Sequence, residues 1–182
     1  MKLRLAQTAA TLVFFIAPVF AQSPQTWVLT QSTLTYHMVH PIHTVDGISH
    51  AARGKGICES GTCNFLVAAP VKSFDSGDTN RDEHMLQVTR GAEFPIVTVR
   101  FSLPESDINS PTLSCDLDVN FAGQTAHFPH VAFQQTIQGN THHITGTVPA
   151  TLTDFKIPAP SFLTVPIHND IPVKVDTTWQ PQ

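Results

Sequence analysis

The sequence predicts an all-β domain of seven or eight antiparallel strands with one short helix. Three observations carry this. Apolar and polar residues alternate along most of the chain beyond Thr26. Fourteen prolines leave little room for long helices, since each costs a helix interior about 3 kcal/mol. Clusters of Gly, Pro, Asn and Asp separate the alternating runs. A length of 182 residues fits one domain, placed at residues 22–182. Apolar residues make up 41% and charged ones 13%, too apolar a balance for a disordered chain. The formal charge is −4, and no basic stripe exists, so nucleic acid is not an expected partner.

The N-terminus reads as a signal peptide over residues 1–21. Lys2 and Arg4 give a positive start, Ala9 to Phe20 is apolar apart from Thr11, and Val19 and Ala21 are small residues placed for cleavage after Ala21. Removing this segment takes away two basic residues, leaving 8 − 14 = −6. The expected location is the periplasm or the exterior, where disulfides are permitted.

The strand assignments follow in chain order. Trp27 to Val39 places Leu34, Tyr36 and Met38 on one face, with His37 on the other. Cys58 and Cys63 flank a Ser-Gly turn signal. A four-residue hairpin loop there would set them opposite each other, close enough to bond. Cys63 to Phe74 is an apolar run rich in β-formers. Asn80 to Gly91 has helical spacing in Met85, Leu86 and Val88, with Asp78 or Thr79 as its cap and Arg81 expected to hold a neighbouring carboxylate. Ile96 to Leu103 alternates through Val97, Val99 and Phe101, and Leu113 to Phe121 through Cys115, Leu117 and Val119. Cys115 therefore reads as an inert core thiol. Thr125 to Thr136, His143 to Thr153 and Ile171 to Trp179 complete the set, the last with Val173, Val175 and Trp179 on one side.

Periodicity alone leaves barrel and sandwich open. So many large apolar residues on single strand faces favour a barrel, which either fills with side chains or holds one small ligand. Catalytic motifs are missing: the chain has no Gly-rich phosphate loop, no G-x-S-x-G and no H-E-x-x-H, so it is not read as an enzyme and no cofactor is expected. Eight of the ten histidines form two clusters, His37/His40/His43/His50 and His127/His130/His142/His143. On a strand, His37 and His40 point to opposite faces, as do His142 and His143. His127 and His130 do likewise unless Pro129 bends the chain. No metal site is therefore expected.

Residues Val71 to Phe101 read VKSFDSGDTNRDEHMLQVTRGAEFPIVTVRF. Ser73, Gly77, Arg81, Asp82, His84, Met85, Phe94 and Pro95 stand where the YceI-like polyisoprenoid-binding family carries its signature, and the chain resembles that family. The resemblance extends to Trp27, His40 and Gly47 near the start and to Leu152-Thr153-Asp154-Phe155 and Ile157 near the end. Phe121, Gly123 and Thr125 keep only part of the family's later motif, and the Cys58–Cys63 loop and the His40-Pro41-Ile42-His43 connection depart from it.

This resemblance implies a lipocalin-like antiparallel β-barrel of about eight strands with a short helix. It implies an exported protein that holds a polyisoprenoid, such as a polyprenyl or quinone tail, without turnover. Its expected lining is Leu34, Tyr36, Met38, Val97, Val99, Phe101, Leu117, Val119, Phe121, Val148 and Leu152. Transient membrane contact is a separate expectation, not one that the resemblance carries. Two rival expectations are a metal-binding protein built on the histidine clusters and a stress-related module whose barrel is filled by its own side chains.

Overall fold

The computed structural model describes residues 24–162 and 165–182. The expected signal peptide lies outside the described residues. In chain order the strands are β1 (Gln25–His40), β2 (His43–Ser49), β3 (Arg53–Glu59), β4 (Thr62–Pro70), β5 (Ile96–Pro104), β6 (Thr112–Phe121), β7 (Gln124–Gln138), β8 (Thr141–Val148), β9 (Ser161–Phe162), β10 (Val165–Pro166) and β11 (Val173–Pro181); helix α1 (Thr79–Val88) lies between β4 and β5. The sheet runs β11-β8-β7-β6-β5-β4-β3-β1-β2 and closes on itself through antiparallel pairing of β1 with β11. β2 and β3 lie end to end along the same side of β1, β3 against Gln25–Val28 and β2 against Leu34–His40, and share one position in the wall. The result is a closed eight-stranded antiparallel barrel, as expected from the sequence.

Alternation builds the wall. Along β6, Leu113, Cys115, Leu117 and Val119 are buried while Ser114, Asp116 and Asp118 between them are exposed. On β7 the phase shifts once: Leu117 faces Phe128 and Cys115 faces Val131, so two residues oppose Asp116. Pro129 and His130 form this bulge, with His130 at φ 54°. Pro129 thus does bend the strand. His127 and His130 both face outward, bonded to Asp118 (2.9 Å) and close to Asp116 (3.4 Å).

The structure departs from the sequence expectations in five places. β2 and β3 are strands that the sequence reading did not assign. The Cys58–Cys63 hairpin turns through two residues, Ser60 and Gly61 at φ 53° and 82°, and not through four; the cysteines are direct ladder partners and are bonded. The run expected to reach Thr153 leaves the sheet at Val148, so Leu152 sits in a turn before the 3-10 helix Thr153–Phe155, yet is buried. Helix α1 starts at Thr79 and ends at Val88, three residues short of Gly91, because Arg90 turns to φ 55° and the Gly91 N–H closes onto the Leu86 carbonyl (2.7 Å). Asp78 caps it by accepting from the Arg81 N–H (3.1 Å). Lastly, the Arg81 guanidinium donates to Ser76 Oγ (2.8 Å) and to the Ser76 carbonyl (2.7 Å), not to a carboxylate. It is Asp82 that accepts from the Ser76 N–H (3.1 Å), so both side chains tie the 76–78 turn to the helix.

The two barrel ends differ. Turns β3–β4, β5–β6 and β7–β8 lie at one end, which the interior closes with edge-to-face ring pairs. Phe65 meets Trp179 edge-on at 5.4 Å between centroids, and Trp27 meets His142 edge-on at 4.6 Å. Helix α1, the β1–β2 turn and the segment 149–172 lie at the other end.

Candidate functional site: an apolar cavity in the barrel

Inside the barrel is a cavity of about 710 Å³. Its wall takes Leu34, Tyr36 and Met38 from β1, Val97, Val99 and Phe101 from β5, Leu117, Val119 and Phe121 from β6, Val148 at the end of β8 and Leu152 just beyond it. All eleven residues expected to line a barrel interior thus border this space. The barrel is not filled by its own side chains, contrary to the expectation of a filled interior. The strand alternation also explains an unusual burial pattern. Leu34, Val97, Val99, Phe101, Phe121 and Val148 are only partly buried although they pack on the core, because the surface left to them faces the cavity.

Sequence reasoning missed part of the wall. Val67 and Ala69 on β4, Phe128 and Phe133 on β7, and Ile144 on β8 also line the cavity. Their signal was the same alternation, on strands whose inward face the sequence left unassigned. At the open end it missed a polar collar: His40 and His43 at the β1–β2 turn, the cap residue Asp78, and Asn80, Arg81 and His84 from α1. His40 is buried; its Nε2 lies 3.3 Å from the Val165 carbonyl, and its ring is 5.0 Å from that of His43.

The interior has little chemistry to offer beyond burial. Burial, and secondarily Asp116, push the Cys115 thiol up to about 11, so it stays protonated and a poor nucleophile at neutral pH. Burial, then the Asp82 carboxylate, raises the Tyr36 phenol above its usual range, so it presents a neutral O–H to the cavity. Four histidines pair with aspartates on the outer surface or are directed there: His37 with Asp46 (2.7 Å), His127 with Asp118, His130 with Asp116 and His143 with Asp176 (2.8 Å). His142, next to His143, points inward instead. Among the described residues no three His, Cys, Asp or Glu side chains converge on a point that could hold a metal ion.

The wall has one thin place. β5 and β6 pair only at Thr98–Asn120, Val99–Val119 and Arg100–Asp118, and beyond these an outer cleft of about 670 Å³ opens between the strands. Phe101 and Cys115 border both this cleft and the inner cavity.

No family model and no curated protein matches the chain. Solved structures do. A polyisoprenoid-binding domain from Saccharophagus degradans, implicated in plant cell wall breakdown, is 10% identical, with a TM-score of 0.70 over 86% of this chain and 98% of that one. BcnA of Burkholderia cenocepacia is 13% identical, with a TM-score of 0.65 over 81% and 95%. The YceI protein of Campylobacter jejuni is 15% identical, with a TM-score of 0.54 over 63% and 70%. At such identities the likeness is one of fold. This chain has the barrel fold of the YceI proteins.

Proposed function

We propose that the protein binds a polyisoprenoid, a polyprenyl or quinone-type tail, inside the barrel, without covalent attachment and without turnover. The observation that carries this reading is the cavity itself: about 710 Å³ with apolar walls along its length and polar side chains gathered at one end. A branched hydrocarbon chain suits such a space, because each Å² of apolar surface taken from water contributes roughly 25 cal/mol. The polar collar suits a ligand with one polar terminus. A neighbour of the same fold that binds polyisoprenoid supports the same ligand class. The N-terminal segment supports export, with cleavage after Ala21 and a periplasmic or secreted destination, where an insoluble lipid needs a carrier through water. The direct test is mass spectrometry of an organic extract of the purified protein, followed by titration with a fluorescent polyprenyl probe. A one-to-one isoprenoid in the extract is the expected result; an empty extract together with no probe binding refutes the reading.

A further inference from the structure

The two ends of the barrel expose different chemistry. The turns at the closed end, Ser60-Gly61, residues 105–111 and Gly139-Asn140, are polar apart from Ile108 and Pro111. At the open end the β1–β2 turn is Pro41-Ile42, and Ile42 is 67% exposed, more than any other large apolar side chain described. Beside it runs the segment holding β9 and β10, where Val165 is 41% exposed and Pro158, Ala159 and Pro166 are exposed as well. The two segments are joined: the His168 N–H donates to the Val39 carbonyl (2.9 Å), and His40 Nε2 meets the Val165 carbonyl. His40, His43 and Ile167 on this arc also line the cavity, so the apolar arc is the cavity's own lip.

Single exposed apolar residues are ordinary on a protein surface. This arc differs by its position and by its charge. Residues 39–43 and 158–168 contain no Asp, Glu, Lys or Arg, in a chain of net charge −4. This uncharged, proline-stiffened arc forms one side of the opening, beside the Asp78 and Arg81 of the collar, and can enter the headgroup boundary of a bilayer without burying an ion of its own. From this geometry we propose that the Pro41-Ile42 turn and the Val165-Pro166 tip dock on a phospholipid bilayer, so that an apolar ligand passes between bilayer and barrel without crossing water. The partner is a zwitterionic membrane surface, and the attraction does not depend on salt, because no basic residue takes part. The transfer step rests on the lipid-binding reading above; the docking surface does not.

The test is flotation of the full chain with phosphatidylcholine vesicles, comparing wild type with Ile42→Asp/Val165→Asp. Both positions are exposed, so the double variant should fold, and circular dichroism checks this. The expected result is a partition coefficient at least ten-fold lower for the double variant, little changed by salt. Ile57→Asp, an exposed site on the outer wall near the closed end, should float like wild type. Equal flotation of wild type and double variant, or no flotation of either, overturns the proposal. So does a wild-type dimer that fails to float and that the double variant splits into monomers, since the lip would then bind a second copy of the chain. Probe binding without vesicles should be the same in wild type and double variant. Flotation that falls in the double variant while wild type binds no polyprenyl probe supports the docking surface and refutes only the ligand assignment.

Discussion

Gly47 lies directly across the β1–β2 ladder from Tyr36, and the phenol ring covers it so closely that no side chain fits there. The same relationship recurs at Gly56 beneath the Phe65 ring, its ladder partner, and at Gly146 beneath Phe133. Each ring fills the space that the glycine leaves on the inner face, a known device for pinning register in a curved sheet. Gly47→Ala should therefore displace Tyr36 and destabilise the fold by about 1–3 kcal/mol, as overpacking does. Urea denaturation measures this. Combining it with Tyr36→Ala should cost less than the sum of the two single changes, because the clash disappears with the ring.

The cavity walls give a second prediction. Val99 and Val119 are ladder partners on β5 and β6, and both border the cavity. Val99→Trp should fill the space and weaken polyprenyl-probe binding more than ten-fold while leaving the melting temperature within a few degrees of wild type. Val119→Asp should also abolish binding, and should cost roughly 1–3 kcal/mol or more, because the carboxyl is buried without a partner. Fluorescence titration and thermal melts separate the two effects. Full binding by a folded Val99→Trp protein would place the ligand outside the barrel.

Arg81 and Asp82 hold the turn before α1 through Ser76. Arg81→Ala removes two hydrogen bonds and should cost about 1–2 kcal/mol, with local loosening around residues 76–78. Hydrogen exchange should rise there first. Affinity should fall less than for Val99→Trp, since the guanidinium reaches the cavity only at its collar.

The cysteines predict a redox pattern and an alkaline limit. Intact mass and peptide mapping without reductant should find Cys58 bonded to Cys63 and Cys115 free. The closed loop is short, so replacing both bonded cysteines by Ser should cost under about 3 kcal/mol. The native Cys115 thiol, raised from 9.0 to about 11, holds its proton more tightly than the unfolded thiol does. Stability is then unaffected below pH 9 and falls as pH climbs from 9 towards 11, where only the unfolded thiol ionises readily. Cys115→Ala should reduce that alkaline loss in pH-dependent unfolding curves. Tyr36, raised in the same direction, leaves a residue of it.

His142 sets the acid side. It is buried against Trp27, with Nδ1 3.2 Å from Gln135 Oε1, and burial lowers its pKa below 6.5. A histidine depressed in the fold is kept neutral there, while the unfolded chain takes up a proton below about pH 6.5. Its contribution is complete above that value and is lost as pH falls through the lower, native pKa. His142→Gln should flatten the stability profile as pH falls below 6.5, measured by urea titration at each pH.

Much of this protein was legible in its sequence. Strict alternation through Leu113, Cys115, Leu117 and Val119 or through Val97, Val99 and Phe101 fixes which side chains share a face, because a strand has a period of two whatever its neighbours are. Asp78 capping α1 and Cys58 opposing Cys63 are likewise short-range relationships, carried by turn and cap chemistry. β2 and β3 could not be read this way. Gly47, Gly54 and Gly56 lack inward side chains, and the rings that replace them come from β1, β4 and β11. The bulge at Pro129-His130 was visible only as a conditional. Whether the inward faces meet in a filled core or surround a space depends on the radius at which β1 and β11 close the sheet. That closure depends on pairing between segments some 150 residues apart. Sequence therefore determined which residues face inward, and the tertiary structure alone decided that they enclose a cavity, that it opens beside α1, and that Ile42 and Val165 stand at its lip.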